Sequence, residues 1–189
     1  VRRVPQRAAY DLATVHAILD AGWVAHVGIA EGAQPFVLPM VYVRVGDALY
    51  LHGARTARLL SALGEGVPVC VTVTLLDGLV LARSAFHHSM NYRSAMVLGR
   101  GTAVPDEAER ERVFAAFVDR VVPGRSAEVR PPNERELRAT LLVKVEIEEA
   151  SAKVRTGPPL DDAEDLALPV WAGVLPLDVV PGAPVPDPA

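Results

Sequence analysis

The chain has 189 residues, half of them apolar and 22% charged, with a formal net charge of −4, which suits a single core of ordinary domain size. That acidic balance offers phosphates no basic patch, which argues against nucleic acid as a partner, and no apolar run approaches the ~18 residues of a bilayer crossing. The single cysteine, Cys70, excludes an internal disulfide and reads as a small buried side chain; no export leader follows Arg2 and Arg3, because Tyr10, Asp11 and His16 break the run, so a cytoplasmic protein is expected.

Asp11 stands before Leu12, Val15, Ile18 and Leu19, with Gly22 beyond, a spacing that predicts a capped amphipathic helix over 10–21. Val24–Ala30, Pro35–Val45 and Ala48–His52 are rich in β-branched and aromatic residues and are separated by Glu31-Gly32 and Gly46-Asp47. They read as an antiparallel meander. Leu59, Leu60 and Leu63 share a face before Gly64, as in a short helix over 56–63, and Val67–Leu75 resumes strand character. Asp77-Gly78 reads as a turn leading to strands over 79–86 and 92–104, joined through His87-His88-Ser89-Met90-Asn91.

From Pro105 the period changes. Asp106 is a cap, and Val113, Phe114, Phe117, Val118 and Val121 form a helix face that ends at Pro123-Gly124. Asn133 with Glu136 three residues later resembles a capping box for a second short helix. Leu141–Ile147 then alternates, with Val143, Val145 and Ile147 on one face, as the closing strand. Six strands with a few short helices, never alternating regularly, predict a mainly β (α+β) fold: an antiparallel six-stranded Greek-key barrel. This domain is expected over 1–176. The apolar segment Leu168–Leu175 asks for a partner surface, and the proline-rich tail over 177–189 is extended.

The sequence holds no Gly-x-Ser-x-Gly elbow and no phosphate-binding Gly-x-x-x-x-Gly-Lys loop. Gly99-Arg100-Gly101 lacks the third glycine of a dinucleotide fingerprint and reads as a bend in a strand. His16 and His26 are isolated, and adjacent His87 and His88 have no His or Cys at ligand spacing, so no metal site is expected.

Three stretches carry a resemblance. Pro35–Tyr42 is followed by Leu49-Tyr50-Leu51-His52-Gly53-Ala54; Ser84–Ser94 contains Asn91-Tyr92-Arg93-Ser94; and Ser151–Arg155 is followed by Trp171–Pro176. Together they resemble the pyridoxamine 5'-phosphate oxidase-like split barrels that bind FMN, in particular the nitroimidazole-resistance group. The resemblance implies a homodimer with the flavin at its interface and oxidoreductase chemistry on a small molecule, such as a nitroaromatic, an amine or a pyridoxamine-like compound. It also implies that Val37, Leu38, Pro39, Met40, Val41, Tyr42, Gly53 and Ala54 border the ring and ribityl chain, with Asn91, Tyr92 and Ser94 near the cofactor and Trp171 either a core anchor or a lid over it.

A proline at 39 removes a backbone donor and marks a gap or bulge where a ring would sit. Arg55 and Arg58 are the cations suited to the phosphate, and His52 matches the position with a catalytic role, suited to moving a proton beside a flavin. Where the family often shows Gly-Arg-Lys, this chain has Ala57-Arg58-Leu59, which leaves FMN, a deazaflavin or haem open as the ligand. For haem, His87 or His88 is the axial candidate. A non-catalytic flavin- or haem-binding sensor and a cofactor-free structural dimer are the alternatives to an enzyme.

Overall fold

The computed structural model describes residues 5–188; Arg2 and Arg3, which entered the leader argument, and Ala189 at the end of the tail lie outside the described residues. Its contacts divide the chain into two compact units. One comprises the described residues up to Leu75 together with Ser94–Lys153; the other comprises Leu76–Arg93 and the described residues from Val154 onward.

Strand β1 (Ala8–Ala9) precedes helix α1 (Leu12–Ala21), whose cap is Asp11: its Oδ1 accepts from the Thr14 amide at 2.8 Å. Then follow β2 (Val24–Glu31), β3 (Gln34–Val45) and β4 (Ala48–Ala54), helix α2 (Arg58–Gly64), β5 (Pro68–Leu81) and β6 (Ser89–Ala103). Helices α3 (Glu107–Val121) and α4 (Glu134–Ala139) lead to β7 (Thr140–Glu146), β8 (Glu149–Arg155) and β9 (Gly173–Pro176). The pairs β2–β3, β2–β5, β3–β4, β4–β7 and β6–β7 are antiparallel, and the order β6-β7-β4-β3-β2-β5 closes on itself through a β5–β6 pairing. The six-stranded antiparallel expectation therefore holds. No helix among the described residues is long and apolar enough to cross a membrane.

Three additional strands differ from the sequence reading. β1 and β8 pair with one another, Ala8 opposite Lys153. Asp77-Gly78 makes no turn: β5 runs straight through it, because β9 lies alongside with Gly78 opposite Pro176 and Leu81 opposite Gly173. The partner expected for the apolar tail is thus partly the chain's own strand, although Trp171, Val170 and Leu175 stay exposed. Cys70 is half-buried within β5 rather than fully enclosed, and burial pushes its thiol pKa up.

The core of the first unit forms where inward residues of β3, β4 and β7 meet α1 and α2: Val15, Ile18, Leu19, Leu49, Leu51, Leu60, Leu63, Val143 and Val145 are all buried. Gly101 admits α2 to the barrel wall, since a Cβ there would stand 2.6 Å from the Leu63 carbonyl oxygen. Helix α3 begins at Asp106, whose carboxylate accepts from the Glu109 amide at 2.7 Å. It packs Val113 and Phe117 against Val43, Tyr50 and Leu142, a burial that contributes roughly 2 kcal/mol per side chain. Near its other end, Arg120 donates to the carbonyls of Asp20 (3.1 Å), Leu19 (3.3 Å) and Gly22. Leu19 and Asp20 belong to the last turn of α1, whose carbonyls lack intrahelical donors, and Gly22 is its C-cap.

Candidate functional site

Strand β3 is paired unevenly. Residues 34–41 face β2 in unbroken register, His26 opposite Pro39, while the pairing with β4 runs from Tyr42 to Val45. Proline at 39 therefore makes no bulge; it sits where the second edge of β3 has diverged from β4, and there its missing N–H costs no ladder bond. Beside that divergence lies a cavity of about 960 Å³. Pro39, Met40 and Val41 of β3 and His52 of β4 supply one wall, Phe114, Phe117, Val118 and Val121 of α3 another, and the segment from Val122 to Pro132 completes it.

His52 is the polar group of the strand wall. Its ring stands edge-on to Phe117, centroids 4.4 Å apart, and to Phe114 at 5.9 Å. Its Nδ1 is buried without a hydrogen-bond partner. Burial lowers its pKa from the ordinary histidine value, so the imidazole is held neutral, in the form that ligates a metal. The other polar lining groups are Glu111, Arg125, Ser126 and Arg130.

The remaining residues expected at a site fall into several places. Val37, Leu38 and Val41 expose their side chains along β3. Tyr42 is turned into the core, where its hydroxyl donates to the Leu19 carbonyl and burial pushes its pKa up to about 12. Gly53 leaves room for Leu60, whose Cδ1 would lie 2.7 Å from a Cβ, and Ala54 is exposed. Arg55 donates from Nε to the Arg138 carbonyl at 3.2 Å.

Arg58 is engaged by Glu31: its Nε lies 2.8 and 2.9 Å from the two carboxylate oxygens, and its guanidinium stacks 4.1 Å over the Phe36 ring. That ion pair satisfies the cation assigned from sequence to a phosphate. Ser94 donates to the Lys153 carbonyl at 3.4 Å.

In the second unit Asn91 is buried, donates to the Gly157 carbonyl at 3.1 Å and accepts from the buried Arg155, which also donates to the Pro158 carbonyl at 3.2 Å. Tyr92 is half-buried, and Trp171 is exposed with its ring against Gly173. His88 Nδ1 lies 2.9 Å from the Ser84 carbonyl oxygen, and His87 Nδ1 lies 2.7 Å from Ser84 Oγ. One ligand atom each from His87, Asp162 and Asp165 fall within 4.8 Å of one another, a grouping that the distance between them in sequence hides.

Sequence reasoning singled out His52 and Pro39–Val41 but missed the α3 wall and the segment after it. The available signal was Val118, Val121, Val122 and Val129, more apolar side chains than one helix face needs to pack on a barrel.

A family model described as pyridoxamine 5'-phosphate oxidase matches residues 11–154. No curated protein matches the chain. Among solved structures, the flavocytochrome Anf3 from Azotobacter vinelandii is 48% identical, with a TM-score of 0.92 over 100% of this chain and 87% of its own. The FAD and heme binding protein from Mycobacterium smegmatis is 39% identical, with a TM-score of 0.91 over 96% of this chain and 89% of its own. A putative 5-nitroimidazole antibiotic resistance protein from Bacteroides thetaiotaomicron VPI-5482 is 23% identical, with a TM-score of 0.65 over 78% of this chain and 86% of its own, a likeness of fold alone.

Proposed function

Because the chain belongs to the pyridoxamine 5'-phosphate oxidase family, we propose that it is a redox protein carrying both a flavin and a haem, with the haem held by His52 in the apolar cavity. The observation that carries this reading is the neutral imidazole of His52, its Nδ1 buried and unpartnered, in the wall of an apolar cavity large enough for a tetrapyrrole. Two relatives of high identity, one a flavocytochrome and one a protein binding FAD and heme, support it. The donor set fits the group: a neutral nitrogen ligand, aromatic and aliphatic walls, and arginines for carboxylates. In this reading His52, rather than His87 or His88, would hold the haem.

A haem iron exchanges single electrons and a flavin one or two, so together they connect two-electron donors with one-electron acceptors. The chain's own part is to hold and to exclude. Phe114 and Phe117 fix the ring plane of His52 from its edges, and the α3 wall keeps water from that face. The flavin, expected from sequence as FMN, is read here as FAD on the strength of the Mycobacterium smegmatis relative. It would lie along the exposed apolar stretch Val37–Val41 of β3, shared between two copies of the chain, where the open β3 edge offers backbone groups to the polar rim of the ring. Small-molecule oxidoreduction is the activity this arrangement serves.

Titration of the purified protein with haemin, FAD and FMN, followed by its visible spectrum, tests the reading. The expected result is a Soret band that saturates at one haem per chain and is lost in His52→Ala, flavin uptake with FAD preferred over FMN, and a dimeric mass by light scattering. A protein that gives no Soret band with haemin, or gives the same band without His52, overturns the haem assignment; failure to take up either flavin overturns the flavin assignment.

A further inference from the structure

Both basic groups of the cavity come from one stretch of chain. Gly124 opens it in the left-handed conformation, φ 84°, and Pro131 and Pro132 close it. The stretch is pinned to α3, because the amide and the hydroxyl of Ser126 donate to the two carboxylate oxygens of Asp119 at 2.7 and 2.8 Å. Its two arginines are engaged only locally. Arg125 pairs with Glu128 at 2.6 Å, and Arg130 pairs with Glu136 at 2.6 Å, all four side chains being well exposed.

Exposed pairs of this kind are weak and exchange readily for another carboxylate. Arg130 meets Glu136 at two points, Nη1 to Oε2 at 2.9 Å and Nη2 to Oε1 at 2.6 Å, and on exchange Glu136 keeps the Asn133 amide, which donates to its Oε2 at 2.9 Å in the capping box of α4. The planar fork of each guanidinium suits a carboxylate at two points. Glu111, the one carboxylate among the lining residues, repels an anion and so favours placing it toward the 125–132 stretch.

We propose that Arg125 and Arg130 form the carboxylate-recognition group of this cavity: on binding they leave Glu128 and Glu136 for the two propionates of the haem, so that the site selects a tetrapyrrole dicarboxylate over a neutral flat ring. The inference rests on the haem reading above and extends it to ligand selection. The α3 and strand walls supply the apolar contact common to any flat ligand; the arginine pair supplies the discrimination.

The test compares haemin with its dimethyl ester, in which both propionates are neutral, on the full chain. Wild type is expected to bind the diacid roughly tenfold tighter than the ester, the scale that two half-exposed charge pairs supply, and the preference shrinks as salt is raised. The double variant Arg125→Ala/Arg130→Ala binds both ligands with the affinity of the ester and keeps the Soret maximum, because His52 is untouched. Glu128→Gln, which removes a competing carboxylate, tightens the diacid and leaves the ester unchanged. Equal affinity of wild type for diacid and ester, with a Soret band present for both, overturns the proposal while leaving the haem reading intact. A preference for the diacid that survives in the double variant also overturns it. Absence of a Soret band with either ligand overturns both.

Discussion

The Tyr50 hydroxyl donates to Glu109 Oε1 at 2.6 Å, joining strand β4 to the first turns of helix α3. Two residues beyond Tyr50 on the strand is His52, and five residues beyond Glu109 on the helix is Phe114, so the bond joins the two walls of the cavity near its polar ligand. Both burial and the Glu109 carboxylate push the phenol pKa up, which keeps the hydroxyl a donor throughout the physiological range.

Tyr50→Phe keeps the ring packing and deletes this one bond. Chemical denaturation is expected to show a loss of about 1 kcal/mol. Haem affinity should fall along with it, because α3 loses its tie to β4; an unchanged affinity would mean that packing of Val113 and Phe117 positions the helix unaided.

The neutral state of His52 makes stability depend on pH. Its folded pKa lies below the unfolded value of about 6.5, so above that pH neither state carries the proton and the residue contributes no slope. As pH falls below about 6.5 the unfolded chain binds a proton that the folded chain refuses, and stability declines until the lowered pKa is reached. Unfolding curves between pH 5 and 7 for the apoprotein should therefore be steeper in pH than those of His52→Gln, with the difference vanishing above about 7. Equal slopes would show that the imidazole takes up its proton in the folded state as readily as in water.

Gly101→Ala places a methyl group 2.6 Å from the Leu63 carbonyl and 2.9 Å from Leu63 Cβ. Helix α2 must then lift from the barrel, at a cost of about 1–3 kcal/mol. Amide exchange should accelerate first in Arg58–Gly64. A variant as stable as the parent would mean that α2 can retreat without disturbing Leu59, Leu60 and Leu63.

Asn91→Leu removes an acceptor from the buried Arg155 guanidinium and the donor to Gly157. The remaining carbonyl acceptors of Arg155, Gly157 at 3.3 Å and Pro158 at 3.2 Å, compensate in part, so a loss of about 2 kcal/mol is expected. Exchange protection of the amides around Asn91 and Gly157 locates it. A loss confined to global unfolding, with no local loosening there, would contradict the assignment of Asn91 as the clasp of this segment.

Much of the barrel is legible in the sequence because its signals are local. The alternation of Val143, Lys144, Val145 and Glu146 and the caps at Asp11, Asp106 and Asn133 each depend on neighbours within four residues, and each appears in the structure as expected. Asp77-Gly78 was misleading because the partner that straightens it, Leu175 and Pro176, arrives about a hundred residues later. Separation in sequence also conceals the engagement of Arg58, whose carboxylate partner Glu31 lies 27 residues earlier, at the end of β2. The cavity is the hardest feature to read. Val118, Val121 and Val122 look like the ordinary inner face of a helix, and only the three-dimensional course of Val129–Pro132 shows that part of this face encloses space rather than packed side chains.

The hold of Arg120 on three carbonyls at the end of α1 has a mechanical outcome. With Tyr50 fastening one end of α3 and Arg120 the other, the helix behaves as a beam clamped at both supports, so the roof it forms over His52 keeps its span. Any give needed to admit or release a large flat molecule falls to the residues beyond Ser126, past its tie to Asp119, which act as the hinged flap of an otherwise stiff box.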